Sequence, residues 1–166
     1  MLFVCRANLC RSPMAERLAR KLGLEASSAG THAAADLEMP ENAAAVLRER
    51  GASAKKFTSR RLTAPMLTAA DLVLTATRAE RAHCVTLAPA TTGRTFTLRQ
   101  YGRYLAALPP DAAVTPQAIA SIRGRLQPVA PDNDDLADPF GGPIEGFRTC
   151  AETIWPILSA LASRPR

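Results

Sequence analysis

The stretch VCRANLCRSPMAE, residues 4–16, decides the fold. Cys5 and Arg11 bracket five residues, Ser12 follows at once, an apolar run from Met1 to Val4 precedes, and a helical pattern starts at Pro13. So short an apolar run is a strand. The residues between it and the helix must then form a tight turn at a helix N-terminus, which aims unpaired backbone N–H groups at an anion. Arg6, Ala7, Asn8, Leu9, Cys10 and Ser12 are therefore expected to form a phosphate cradle, with the Cys5 thiol as a nucleophile inside it.

Working outward, Ser12 is placed to cap the first helix with Pro13 at its first position. Met14, Ala15, Leu18, Ala19 and Leu22 then recur on one face until Gly23 stops it. Ala26 to Ala29 reads as a weak strand, Glu41 to Arg50 as a helix closed by Gly51, and Ala64 to Ala69 as a third helix. The apolar core Leu72, Val73 and Leu74 within Asp71 to Thr77 has the signature of a buried strand, and Thr77 with Glu80 forms a capping box for the next helix. Thr95 to Leu98 is a further strand, followed by a helix from Arg99 to about Leu108. A helix near Pro116 to Leu126 precedes the loop Pro128 to Pro143, which is too long to be a mere connector. In the final helix Ile144, Phe147, Ala151, Ile154, Trp155, Leu158 and Leu161 share a stripe, with a kink expected at Pro156.

Strands alternating with helices predict an α/β fold: a single three-layer domain over residues 1–166, with a doubly wound, mainly parallel four-stranded sheet and helices on both faces. Ligands bind such sheets at the carboxyl ends of the strands, where Cys5 falls. The 166 residues, 47% apolar, suffice for one core. No leader-like segment precedes the motif, and four cysteines without a disulfide-framework spacing point to a reducing compartment, so a cytoplasmic location is expected. No stretch is apolar enough to span a membrane. The formal charge of +6 concentrates at Lys55, Lys56, Arg60 and Arg61. With only Phe57 among them to stack a base, this cluster is a solvated face or steers a phosphorylated partner, and nucleic acid is not expected.

A thiol attacks phosphorus only as the thiolate. A helix N-terminus, converging amides and the Arg11 guanidinium all favour the anion, and Ser12 can donate a hydrogen bond to the sulfur. The planar fork of Arg11 binds two phosphate oxygens at once and follows them into a trigonal bipyramid, which lysine would do poorly. Asn8 tolerates a left-handed backbone and can bond to neighbouring loop groups.

As a set these residues resemble the low-molecular-weight protein tyrosine phosphatase family, whose signature is a cysteine, five residues and Arg-Ser near the N-terminus. The resemblance extends through SSAGT at Ser27 to Thr31, the helix ending RERG, the segment ADLVLTATRAER and the Asp-Pro pair of LADPFGG. It implies that Cys5 attacks, that a cysteinyl-phosphate forms and is hydrolysed by water without a metal or other cofactor, and that Asp138 protonates the leaving oxygen. It also implies a role for Ser28 in supporting the cradle and a reversible Cys5–Cys10 disulfide under oxidant. Read alone, Asp138 belongs to a solvated acidic loop, Ser28 is a small packed residue, and Cys10 is an apolar filler. The substrate is expected to be a phosphotyrosine protein or another aryl phosphate.

The departures from the family pattern concern the substrate slot. The aromatic walls correspond to Ala34 and Gly141 here, which leaves Phe140 as the one aromatic beside the acid and weakens a strict phosphotyrosine preference. Thioredoxin-coupled arsenate reductases share the cradle, but Thr77 stands where their first relay cysteine belongs, with Cys84 at the second place. Phosphoarginine phosphatases of this fold favour threonine before the second cysteine, where Leu9 stands. A catalytically idle phosphate-binding or redox-sensing module is a further alternative. Cys84 and Cys150 read as buried, Tyr101 and Tyr104 as packing residues, and His32 and His83 have no metal or triad spacing.

Overall fold

Four short strands, β1 (Leu2–Cys5), β2 (Ser27–Gly30), β3 (Val73–Thr75) and β4 (Thr95–Thr97), pair in parallel in the order β2-β1-β3-β4. The computed structural model describes residues 1–165 of the chain. Leu2 lies opposite Ser27 on one side and Val73 on the other, and Cys5 lies opposite Gly30. The chain winds from β1 outward to β2 and then crosses back to β3, so the direction of winding reverses between β1 and β3. In an open parallel sheet that reversal leaves a crevice at the carboxyl ends of the strands. Cys5 is the last residue of β1 and stands at that crevice.

Alternation along β1 divides the interior in two. Phe3 and Cys5 face one layer, with residues of α1 (Arg11–Lys21), α2 (Glu41–Glu49), α5 (Leu98–Ala107), α6 (Pro116–Arg123) and α7 (Ile144–Ala162). Leu2 and Val4 face the other, with Leu67 of α3 (Ala64–Ala69) and Cys84 of α4 (Arg78–Leu87). Met14, Leu18, Phe147, Ile154 and Leu158 are fully enclosed in the first layer, and each contributes about 1.5–3 kcal/mol by leaving water. The α/β, doubly wound reading with helices on both faces is therefore correct. Among the described residues no helix is long and apolar enough to cross a membrane.

The two predicted glycine stops are Schellman motifs. Gly23 N donates to Arg20 O at 3.0 Å and Leu24 N to Ala19 O at 3.0 Å, with Gly23 at φ +77°. The same pattern closes α2, through Gly51 N to Arg48 O and Ala52 N to Leu47 O. The expected capping box is half formed: Thr77 Oγ1 accepts from Glu80 N, while the Glu80 carboxylate accepts from the Thr77 hydroxyl rather than from its backbone N–H.

Two local readings are corrected. Ser12 does not cap α1: the helix starts at Arg11, Cys10 holds the cap position without a side-chain cap bond, and the Ser12 hydroxyl is turned toward Cys5 instead. Leu98 opens α5 rather than ending β4, because Thr97 Oγ1 accepts from Gln100 N and caps the helix there. A 3-10 helix at Pro89–Arg94 before β4 was not anticipated. Pro156 lies inside α7 and does not end it.

Candidate active site

The turn after β1 closes on the Cys5 sulfur. Ser12 Oγ lies 2.9 Å from Cys5 Sγ, and the Asn8 backbone N–H donates to the same sulfur at 3.3 Å. Ser12 Oγ accepts from Asn8 Nδ2 at 2.9 Å and also lies 3.5 Å from the Ala29 carbonyl, to which it can donate. The sulfur thus has two hydrogen-bonding neighbours within the turn.

Asn8 organises the turn. Its backbone is left-handed, with φ +54°, and it is completely buried. Nδ2 donates to both Ser12 Oγ and Ser28 Oγ at 2.9 Å, while Oδ1 accepts from the Arg60 backbone N–H at 2.9 Å. Ser28 in turn donates to Glu16 Oε2 at 2.6 Å, and the buried Glu16 carboxylate pairs with Arg20. Ser28 therefore sits within the bonding network beneath the cradle rather than being only a small packed residue. Gly30 beside it is tightly enclosed: a Cβ there would stand 2.7 Å from Arg6 O and 2.8 Å from Asn8 N.

Arg11 and Asp138 meet across 127 positions of sequence. Arg11 Nη2 donates to Asp138 Oδ2 at 2.6 Å and Nη1 to Leu136 O at 3.2 Å, while the buried Nε has no partner among the described residues. The Asp138 side chain is 48% exposed and Phe140 N donates to its Oδ1. A turn closed by Gly142 N to Pro139 O, with Gly141 at φ +75°, holds Phe140 out in solvent at 60% exposure. Leu136 N donates to Ala76 O just beyond β3, which pins the loop carrying Asp138 to the sheet.

Cys5, Arg6, Ala7, Leu9, Cys10, Arg11, Asp138 and Phe140 line a cavity of about 230 Å³. All the predicted cradle residues except Asn8 and Ser12 face it, and those two lie behind it. Ala34 is not in the lining. It is exposed, and its carbonyl accepts from Ser59 Oγ at 2.6 Å. A larger cavity of about 420 Å³ opens beside Met1, Leu72 and Phe96 at the amino ends of the strands and contains neither cysteine nor histidine.

All four cysteines are free and buried. Burial, with the Asp138, Cys5 and Cys150 charges behind it, pushes the Cys10 thiol up to about 12, against the opposing pull of Arg11. Cys150 and Cys84 are likewise pushed up to about 12, chiefly by burial. Tyr101 and Tyr104 pack around Phe96, as expected. His32 and His83 rings stand 5.7 Å apart. Among the described residues no group of three or more His, Cys, Asp or Glu is placed to hold a metal ion. Sequence reasoning missed three supports: the Arg60 backbone N–H, Glu16 and the Leu136 carbonyl. Only Glu16 left a sequence signal, a carboxylate on the otherwise apolar inner side of α1.

A thiol, a guanidinium and a carboxylate gathered at the carboxyl edge of a parallel sheet define a phosphate-handling α/β protein. The model of the low molecular weight phosphotyrosine protein phosphatase family matches residues 1–111. A protein-arginine-phosphatase of Geobacillus stearothermophilus is 32% identical over 167 residues, covering 99% of this chain and 94% of the relative. The low molecular weight protein-tyrosine-phosphatase Etp of Escherichia coli K12 is 36% identical over 103 residues, 61% of this chain and 70% of the relative. Among solved structures, the YwlE arginine phosphatase from Geobacillus stearothermophilus superposes with a TM-score of 0.74 at 32% identity, covering 97% of this chain and 88% of that one. The low molecular weight protein tyrosine phosphatase from T. tengcongensis gives 0.73 at 28% identity, covering 96% and 95%. The chain belongs to the low molecular weight phosphotyrosine protein phosphatase family, and is by that membership a phosphatase enzyme.

Proposed function

We propose that residues 1–166 form one cytoplasmic phosphatase domain that hydrolyses phosphotyrosine proteins or other aryl phosphates through a cysteinyl-phosphate. Cys5 Sγ attacks phosphorus in line, the bond to the leaving oxygen breaks, and Asp138 supplies that oxygen with its proton. Arg11 binds the equatorial oxygens through the transition state, with the amides of residues 6–10. Water then cleaves the S–P bond, Asp138 takes its proton, and phosphate leaves. The observation that carries this reading is the Arg11–Asp138 contact of 2.6 Å over a cavity that Cys5 also lines. A phosphate drawing Arg11 toward itself frees the Asp138 carboxylate from its ion pair, and the half-exposed group then takes up a proton from solvent and presents it to the leaving oxygen. The buried Arg11 Nε, which has no partner among the described residues, supports the same role.

Leu9 in the cavity lining favours a flat apolar leaving group. The relatives matched over 99% of the chain are named arginine phosphatases, which favours phosphoarginine as a second reading. Arsenate reduction with thioredoxin is disfavoured, since Thr77 is a helix cap and Cys84 is fully enclosed with its thiol held neutral. Turnover of phosphotyrosine and phosphoarginine peptides by wild type and by Leu9→Thr separates the two substrate readings, and mass spectrometry of acid-quenched enzyme detects the phosphocysteine. Turnover undiminished in Cys5→Ser would remove the mechanism.

A further inference from the structure

The residues Arg60 to Leu62 run alongside the carboxyl end of β2 and frame the cradle from outside. Gly30 N donates to Arg60 O at 3.0 Å, Leu62 N donates to Gly30 O at 2.8 Å, and Arg61 forms a bridge with Gly30. Leu62, Ser59 and Phe57 point inward and are buried, while Lys55, Lys56, Arg60 and Arg61 are exposed. Gly30 also touches the cradle, where it closes on the Arg6 carbonyl, and His32 N donates to that same carbonyl at 2.8 Å. Arg6 and Arg61 therefore flank one glycine, and Arg6 lines the cavity itself.

This charge is uncompensated. Among the described residues none of Arg6, Lys55, Lys56, Arg60 and Arg61 forms an ion pair. Arg60 Nε is held by Ser28 O at 2.7 Å, so its side chain follows β2, whereas Arg61 has no such tether. The facing loop carries Asp36, whose N–H donates to Ser59 O, and Glu38, and neither carboxylate pairs with these cations. Phe57 is buried with the Arg17 guanidinium 5.7 Å from its ring centre, so the basic segment offers no exposed ring on which a base could stack.

We propose that Arg6 and Arg61, extended by Lys55 and Lys56, form a docking surface for acidic residues flanking the phosphorylated side chain of a protein substrate. The proposal rests on the phosphatase reading of the cavity. Rim charges of this kind act mainly on association rate and salt dependence.

The test uses two phosphotyrosine peptides that differ only in carrying Glu or Gln on both sides of the phosphorylated residue, assayed with wild type and with Arg61→Glu/Lys55→Glu. Wild type should show a kcat/KM about tenfold higher for the Glu peptide, shrinking as salt is added. The double variant should lose that preference and still turn over p-nitrophenyl phosphate at the wild-type rate. Equal kcat/KM for the two peptides in wild type, or a preference that survives in the variant, overturns the proposal. So does a random single-stranded oligonucleotide that binds as tightly as the Glu peptide. Affinities of the same peptides for Cys5→Ser, by fluorescence anisotropy, separate the two levels. An acidic preference in binding without wild-type turnover refutes the phosphotyrosine reading and leaves the surface standing, whereas turnover without preference does the reverse.

Discussion

Replacing Asn8 removes a buried side chain that ties the cradle to Ser28 of β2 and to the Arg60 backbone. In Asn8→Ala the Arg60 N–H loses its acceptor at a buried site, which costs about 1–3 kcal/mol. Ser12 and Ser28 each lose a donor, for about 0.5–1.5 kcal/mol apiece. Alanine at φ +54° adds about 1 kcal/mol or more of backbone strain. The total is about 3–7 kcal/mol, a large fraction of the stability of a domain this size. Asn8→Gly removes the same hydrogen bonds without the strain, so it should be the more stable of the two by about 1 kcal/mol. Asn8→Asp keeps an acceptor for Arg60 but sets a carboxylate against Ser12 and beside the Cys5 sulfur. Its kcat/KM should therefore fall by more than its stability loss explains. Urea unfolding followed through the single tryptophan, Trp155, measures the stabilities, and p-nitrophenyl phosphate turnover measures the rate. If Asn8→Ala unfolds within about 0.5 kcal/mol of wild type, or Asn8→Asp retains full activity, Asn8 does not organise the cradle.

The remaining expectations concern the acid and the thiols. Asp138→Ala should slow hydrolysis of phosphoesters with poor leaving groups far more than that of p-nitrophenyl phosphate, and equal losses for both would assign the proton to another group. In the folded chain burial and the Glu80 carboxylate push Cys84 from its ordinary value of 9.0 up to about 12. The unfolded chain thus releases a proton that the folded chain keeps, and stability is full below about pH 9 and falls as pH rises toward 12. Cys84→Ala should flatten the fall in urea midpoint between about pH 8.5 and 10, though not abolish it, because Cys10 and Cys150 are raised in the same direction. An unchanged slope would show that this thiol contributes nothing. Peroxide-inactivated wild type should recover with dithiothreitol and peroxide-inactivated Cys10→Ala should not, and equal recovery would argue against a Cys5–Cys10 bridge.

Much of this was legible because the information was local. A strand of four residues, a helix opened by Pro13 and two glycine stops are each fixed by a few neighbouring positions, and they appear within a residue or two of where the sequence puts them. The Ser12 error has the opposite origin. A serine before a proline is a good cap in isolation, but here Cys5 and Asn8 compete for its hydroxyl and the backbone enters the helix two residues earlier. Arg60 was hidden for a different reason: its contribution to the cradle is a backbone N–H, to which residue identity gives no clue. Its charge invited a reading as solvated surface, while its main chain is part of the wall behind the loop.

Asp138 is the member of the site that sequence alone supported least, since it falls beyond residues 1–111 and stands in a run with Asp132, Asp134 and Asp135. The fold separates these four by what holds them. Asp134 is buried and pairs with Arg103, and Asp135 Oδ1 accepts from Arg78 N at 2.8 Å, so both are tied to the α4–α5 side of the loop. Leu136 then fastens the chain to Ala76 just past β3, and the same Leu136 carbonyl accepts from Arg11. Everything C-terminal to that point is aimed back over the cavity, where Asp138 is the first carboxylate the loop presents. Asp134 and Asp135 act as an anchor, and in the mechanism proposed above Asp138 exchanges Arg11 for the leaving group. An exchange of this kind needs a carboxylate that is paired yet half exposed, which is the state of Asp138 and not of the enclosed Asp134.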